Sequence, residues 1–300
     1  MKLHSWQVNA QRRLESSGIE SSEARLELYI LIEHQLGLSR SQLLLSSDRI
    51  LSDIDRDHLD QLIYRRCSRE PLAHLIGCWE FWSISFKVTP DTLIPRPDTE
   101  VLVEEVLKWF NQSKWSAYDQ DQIWLCDIGT GTGCIPIAIA SEKPNLAYHL
   151  IDYSQAALHV AENNWQRVCE QGILSPKTSV RFTHSDLLEV YQSHPLPKPT
   201  IIVSNPPYIK TKDADHLMPE VRFFDPPLAL FDEGEDGLSL TRRLIAEAMA
   251  LLPSQGALFL EVGFDQTKLT QKALIEAGFI KVNIRSDYGG NPRVVKGIKP

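Results

Sequence analysis

From residue 122 to the end, short β-branched runs alternate with helix-length amphipathic stretches. That alternation calls for a mostly parallel sheet covered on both faces, because parallel strands need crossovers and helices supply them. Strands are expected at 123–127, 147–151, 180–182, 200–203 and 257–262, with helices at about 133–142, 154–170, 238–252 and 266–277. The end, 280–285 then 293–298, reads as a closing hairpin around Asp287-Tyr288-Gly289-Gly290-Asn291. The polar stretch 111–121 reads as a loop. The acidic, proline-containing stretch 209–237 is long enough to be a lid, a binding loop or a disordered insertion.

One strand of this series stops abruptly. The run Thr200-Ile201-Ile202-Val203 leads into Ser204-Asn205-Pro206-Pro207-Tyr208, and two prolines cannot continue a central strand. Both have a fixed φ and no N–H, and Asn205 is pushed to an extended backbone by the proline after it. The Asn205 and Pro206 carbonyls are therefore short of local partners. The Asn205 carboxamide and the flat Tyr208 ring sit beside them. Such a corner suits a planar group bearing an –NH₂, with two hydrogens to be accepted and one face to be covered. A bare Pro-Pro would be read as a rigid turn capping a strand; the residues upstream favour the binding corner.

Upstream, Trp124-Leu125-Cys126-Asp127-Ile128-Gly129-Thr130-Gly131-Thr132-Gly133 runs from a strand into a glycine-rich turn, and a helix comes next. Glycines at alternate positions let a ligand approach the backbone closely. A phosphate-cradling P-loop would end in Gly-Lys-Ser/Thr, which is absent. A dinucleotide GxGxxG would place glycine at 134, where Cys134 stands. The third reading is S-adenosylmethionine, which has no phosphate but carries a sulfonium and an ammonium, and so suits an acid-lined site. Asp127 ends the first strand, Asp152 the second, and Asp186 comes after the third. In a parallel sheet these lie along one edge, at the carboxyl ends of the strands. Asp152 can accept both ribose hydroxyls, Asp186 the adenine amino group, and Asp127 can sit near the positive methionine end. Any one of them alone would be read as a cap or turn residue.

The rest of the chain limits the alternatives. Residues 1–70 read as a helical bundle, with helices at 4–17, 22–36 (stopped by Gly37), a short one opened by a Ser39–Gln42 capping box, and 55–69 ended by Pro71. The bundle carries no catalytic cluster and is expected to serve folding or docking. Residues 71–100 form a linker: 81–88 alternates as strands do, and Pro90, Pro95 and Pro97 stiffen the stretch from 89 to 100. Asp98 or Thr99 is expected to cap a helix over 99–110. The domain 101–300 then holds the chemistry. Net charge is −8, which argues against a broad basic surface for duplex DNA. No apolar run approaches the ~20 residues of a membrane span, and no signal peptide opens the chain, so a cytoplasmic protein is the default. Five cysteines without a CxxC pair fit reduced thiols better than disulfides or a metal site. Nothing calls for more than a monomer.

With those residues in place, the chain resembles the class I amino-methyltransferases. Over most of its length it resembles the release factor glutamine methyltransferase family (PrmC/HemK). The resemblance is carried by Pro71–Gly77, Glu80-Phe81-Trp82, Leu93-Ile94-Pro95-Arg96-Pro97-Asp98-Thr99-Glu100, Asp127–Gly133, Ser204–Tyr208, Glu235-Asp236-Gly237-Leu238 and Asp287-Tyr288-Gly289. Arg-Pro-Asp-Thr-Glu is the specific marker, because Asn-Pro-Pro-Tyr is shared with adenine-N6 methyltransferases. The resemblance implies a five-helix bundle, a hairpin linker and a seven-stranded Rossmann-like methyltransferase domain. It also implies N5-methylation of the glutamine in the Gly-Gly-Gln motif of peptide chain release factors. Gly129, Thr130, Gly131, Thr132, Gly133, Asp152, Leu187 and Asn205 would then serve the cofactor, and Asn205, Pro206, Pro207 and Tyr208 the glutamine. Leu187 stands where the family often has an aromatic, Cys134 where a small apolar residue is usual, and Phe224-Asp225-Pro226 where a Glu-Pro pair is expected. A nucleic-acid base methyltransferase is the main alternative, since the same corner could hold a flipped base. A silent docking protein and an NAD enzyme fit the intact motifs and Cys134 less well.

Overall fold

A computed structural model describes residues 1–46, 48–113, 115 and 123–300. Most of the expected loop at 111–121 lies outside them. The chain divides into two units, Met1–Cys78 with Met218–Phe224, and Trp79–Leu217 with Asp225–Pro300. The first unit thus extends past residue 70 and takes in a short piece of the long 209–237 stretch.

In the first unit, helices α1 (Leu3–Ser16), α2 (Ser21–Leu36), α3 (Arg40–Leu45), α4 (Asp53–Cys67) and α5 (Leu72–Ile76) succeed one another. Gly37 ends α2 in the left-handed region at φ 65°, and the Ser39–Gln42 capping box opens α3. Trp6, Leu14, Leu31, Ile32, Leu59 and Ile63 are buried in the bundle. The Arg66 guanidinium forks onto the Glu27 carboxylate at 2.8 and 2.9 Å and reaches Glu220 at 3.0 Å, which Arg69 also binds at 2.8 Å. Glu220 lies on α10 (Pro219–Phe224), so this buried ion cluster holds that segment to the bundle. Burial raises the Glu27 carboxyl, and Arg66 opposes the rise.

The second unit opens with a hairpin, β1 (Cys78–Phe81) and β2 (Ile84–Lys87). Trp82 and Ser83 form its turn, both at positive φ (54° and 57°), the backbone of a type I′ turn without its usual Asn-Gly. A 3₁₀ turn (Pro97–Thr99) precedes α6 (Glu100–Gln112). Thr99 makes no side-chain cap bond there, contrary to the cap expected at 98 or 99, because its hydroxyl is engaged elsewhere.

The sheet is built from β3 (Trp124–Ile128), β4 (Ala147–Asp152), β5 (Val180–His184), β6 (Ile201–Ser204), β9 (Ala257–Glu261), β10 (Ile280–Ser286) and β11 (Pro292–Ile298). Its order is β10-β11-β9-β6-β3-β4-β5. Strands β3 to β6 and β9 pair in parallel, and β11 runs antiparallel to both β9 and β10. Helices α7 (Cys134–Glu142), α8 (Gln155–Glu170), α12 (Ser239–Leu251) and α13 (Thr267–Glu276) cover it. Because side chains alternate across a strand, Leu125, Ile201, Val203 and Phe259 join one apolar layer. Cys126, Ile202, Leu258 and Leu260 join the other. Burial on both faces explains why these strands read as unbroken apolar runs.

The stretch 209–237 is structured rather than a bare loop. It holds β7 (Ile209–Lys210), a 3₁₀ turn (Thr211–His216), α10, α11 (Pro227–Leu230) and β8 (Phe231–Asp232), and β7 pairs with β8 in parallel. Asp232 then caps α12 from upstream, accepting the Ser239 and Leu240 N–H groups at 3.0 and 2.8 Å. The chain order reverses across β3, where β4 lies on one side and β6 on the other. Open α/β sheets bind ligands at such a switch point.

Candidate active site

The turn after β3 and the corner after β6 meet at one cavity of about 530 Å³. Gly129, Thr130, Gly131, Thr132, Asp152, Asp186, Leu187, Asn205, Pro206 and Pro207 all line it. Asp127, Gly133 and Tyr208 are absent from that wall. Pro90, Thr92, Leu93, Pro95, Arg96 and Thr99 of the stiff linker are on it, so the proline run builds the site as well as connecting to it.

The turn is held by its own backbone. Gly129 and Gly131 sit at φ 70° and 53° with open space where a Cβ would project, so their conformation, not crowding, demands glycine. The Gly129 and Thr130 N–H groups both donate to the Ile151 carbonyl, at 2.9 and 3.1 Å. Gly133 is different: a Cβ there would meet Ala161 Cβ at 3.3 Å, so it permits α7 and α8 to pack. Asn164, buried on α8, donates to the Thr132 carbonyl at 2.9 Å and to the Lys87 carbonyl at 3.0 Å. It thereby ties the turn to β2.

Two of the acids have distinct settings. Asp152 accepts the Gly131 N–H on one oxygen and the Ser154 N–H on the other, each at 2.8 Å. That leaves lone pairs for a diol. Asp127 is fully buried, and neither of its oxygens has a protein partner. Burial pushes its carboxyl up to about 7, and the Asp152 charge adds to the rise. Asp186 is bound by Arg243 at 2.9 Å, and Leu187 beside it is at φ 45°.

On the other wall, Ser204 Oγ donates to the Ile128 carbonyl at 2.7 Å, pinning the end of β6 to the end of β3. Asn205 Nδ2 donates to Thr99 Oγ1 at 3.5 Å. The Tyr208 carbonyl accepts from Gln266 Nε2 at 2.8 Å, and burial pushes its phenol up to about 12. Arg96 binds the buried Asp225 at 2.6 Å, whose carboxyl burial pushes up to about 6. The Phe224-Asp225-Pro226 departure therefore supplies an anchor for the Arg-Pro-Asp-Thr-Glu segment.

Sequence reasoning missed Thr99, Asn164, Arg243, Glu261 and Gln266. Asn164 was visible as a polar residue in the apolar stripe Ala157, Ala161, Val168. Glu261 ends a strand at the same sheet edge as Asp127 and Asp152. Among the described residues, no helix is long and apolar enough to cross a membrane. None of their His, Cys, Asp and Glu side chains form a group of three or more that could hold a metal ion.

Comparison with known proteins agrees with this arrangement. Residues 5–77 match the PrmC N-terminal domain and residues 118–225 the Methyltransferase small domain. The release factor glutamine methyltransferase of Burkholderia pseudomallei is 37% identical over 98% of this chain and 97% of its own length. The protein of that name from Escherichia coli K12 is 35% identical over 94% and 95%. The hMettl16 catalytic domain, solved in complex with a MAT2A 3′UTR hairpin, shares the fold at 16% identity and a TM-score of 0.53, covering 83% of this chain and 82% of that one. The chain belongs to the release factor glutamine methyltransferase family.

Proposed function

We propose that this enzyme transfers a methyl group from S-adenosylmethionine to the side-chain amide nitrogen of the Gly-Gly-Gln glutamine in peptide chain release factors. The observation that carries the reading is that the Asn205-Pro206-Pro207 corner lines the same cavity as the glycine turn and Asp152. The substrate is supported by the names of the relatives.

The residues present fit this cofactor. Asp152 has lone pairs left for the ribose hydroxyls, and the Asp186 carboxylate has capacity beyond Arg243 for the adenine amino group. Leu187 offers the adenine an apolar neighbour in place of an aromatic face. Asp127 lies off the cavity wall as a buried carboxyl raised to about 7; a cation bound nearby would favour its ionised form. Bound there, the cofactor supplies an electrophilic methyl on a positive sulfur.

The chain must then present a poor nucleophile. An amide nitrogen shares its lone pair with its carbonyl. Asn205 Oδ1 and the Pro206 carbonyl accept its two hydrogens, which fixes the amide plane and aims the nitrogen. The prolines stiffen this grip, and the Ser204–Ile128 bond keeps corner and turn at a set spacing. The work is positioning and preorganised electrostatics. The methylated amide is strongly acidic and loses its extra proton to water, so no side chain serves as base. Tyr208 backs the corner, its carbonyl held by Gln266, and its expected packing on the amide plane belongs to the bound state.

The N-terminal unit, which exposes the apolar side chains Leu26, Ile50, Ile54 and Tyr64, is the part expected to dock the body of the release factor. The protein is inferred to act as a monomer, in the cytoplasm, without stable nucleic-acid binding. Mass spectrometry of a release factor incubated with enzyme and cofactor tests the function. One added methyl is expected on the Gly-Gly-Gln glutamine. An unmodified factor, or a methyl on a nucleic-acid base instead, contradicts it.

A further inference from the structure

The arginine of the Arg-Pro-Asp-Thr-Glu stretch has no part in the chemistry above. Arg96 lines the cavity. Its side chain is 39% exposed, whereas that of its partner Asp225 is 1% exposed. One guanidinium nitrogen donates to Asp225 Oδ2 at 2.6 Å. Among the described residues that is the side chain's only hydrogen bond. A guanidinium carries five N–H donors and no acceptor, so most of its capacity is unspent. Pro97 holds the Arg96 backbone extended, at φ −101° and ψ 139°. The buried carboxylate then moors the far end of the side chain.

The mooring stands at the substrate corner. Asp225 leads into Pro226, Leu228 and Ala229 on the cavity wall. The chain continues into β8, which pairs with β7 directly after Tyr208. The Arg96–Asp225 pair therefore flanks Asn205-Pro206-Pro207. The wall's other arginine, Arg243, is bound at 2.9 Å to Asp186, which comes after β5. Strand β5 is at the sheet edge, with β3 and β4 between it and β6.

Pro90, Pro95, Pro206, Pro207 and Pro226 line the same cavity. A proline offers a carbonyl but no N–H. A peptide laid against these rings finds acceptors for its N–H groups, and none of the five donates to its carbonyls. A buried carbonyl without a donor is costly. Arg96 is the donor-only group beside them, with a planar fork that suits carbonyl oxygens. A glycine backbone carries no side chain to hold it off the rings, which brings its carbonyl within reach.

We propose that Arg96, moored by Asp225, binds a main-chain carbonyl of the peptide that carries the target glutamine. This deepens the function proposed above and rests on it. The substrate is then read through its backbone as well as its amide, with prolines accepting and Arg96 donating. Asp225 is the positioning residue of the pair. The carboxylate at the cofactor's methionine end offers the same oxygen chemistry, and the test separates the two sources.

Steady-state methylation of a release factor is measured for wild type, Arg96→Ala, Arg96→Lys and Arg96→Ala/Asp225→Asn, with a cofactor titration of each. The double variant removes the arginine without stranding a buried charge. Both alanine variants should raise KM for release factor about 10–100-fold, the effect of losing a charge-assisted hydrogen bond, with a smaller change in kcat. Arg96→Lys should recover part of the loss, since an ammonium keeps the charge but not the fork. The Kd for S-adenosylmethionine should be unchanged in all three. In a second arm, a Gly-Gly-Gln peptide competes with release factor. Two analogues replace the Gly–Gly or the Gly–Gln amide by an ester, whose carbonyl is the weaker acceptor. At one of the two positions the ester should raise Ki more in wild type than in the double variant. An unchanged KM in the double variant overturns the proposal. So does a rise in cofactor Kd that matches the loss, or an ester penalty at both positions that is the same with and without Arg96. A wild type that methylates no release factor counts against the proposed function and takes this inference with it. Methylation with an unaltered KM counts against this inference alone.

Discussion

Asn205→Ala is expected to lower turnover by about 10²–10³, the usual consequence of deleting one preorganised polar contact at a reacting centre. Cofactor binding should fall far less, because the turn and Asp152 are held by their own backbone bonds at 2.8–3.1 Å. Asn205→Asp sharpens the test. Aspartate keeps an oxygen to accept a substrate hydrogen but loses the Nδ2 donor. That donor faces Thr99 Oγ1, so a carboxylate there would set oxygen against oxygen. Its turnover should therefore lie near that of the alanine variant. Steady-state methylation of a release factor, paired with a cofactor titration of each variant, provides the check. Near-wild-type turnover in the aspartate variant would mean that the inward –NH₂ is unimportant.

The second large effect is on folding. Gly237 sits at φ 72°, and a Cβ there would lie 2.4 Å from the Tyr208 carbonyl oxygen and 2.6 Å from Gln266 Nε2. Gln266 is buried and clips two segments together, donating to the Tyr208 and Asp236 carbonyls at 2.8 Å each. An alanine would need a left-handed backbone and would overlap a backbone atom that cannot move without moving the Asn-Pro-Pro corner. Gly237→Ala is expected to cost about 2–4 kcal/mol of stability, in the upper range for single substitutions, and to depress turnover as well. Gly172→Ala is the control, since Gly172 has φ 73° but nothing within 4 Å of a Cβ. It should carry only the backbone strain of about 1–2 kcal/mol. Urea denaturation of the two variants separates strain from overlap. Equal losses would show that the contact with Tyr208 is unimportant.

Much of the methyltransferase unit is legible in the sequence because its sheet is buried on both faces. The run at 200–203 could be little else than a buried strand, and β6 spans Ile201–Ser204. The alternate glycines marked the turn, and all three take positive φ. The features that stayed hidden depend on longer-range forces. The hairpin turn at Trp82-Ser83 carries neither glycine nor asparagine, so its packing overrides local preference. The stretch 209–237 reads as one long loop because its helices are short, and α10 depends on Arg66 and Arg69, about 150 residues earlier, for Glu220. Thr99 looked like a helix cap because capping is the commoner task of a threonine before a helix. Its partner Asn205 lies 106 residues away, just after β6, and meets it only in the folded sheet. Tyr208 reads as part of the cavity from its place beside the prolines, yet of that corner only Ser204, Asn205, Pro206 and Pro207 line it.

The central claim is a grip: one side-chain oxygen and one proline carbonyl take both hydrogens of a glutamine amide. A crystal structure with the demethylated cofactor and a Gly-Gly-Gln peptide measures it directly. The account predicts Asn205 Oδ1 and the Pro206 carbonyl each within about 3 Å of the amide nitrogen, at ordinary hydrogen-bond distance, with Asn205 Nδ2 still on Thr99. A glutamine bound with its carbonyl toward Asn205, or an amide that leaves the Pro206 carbonyl unpaired, would contradict it.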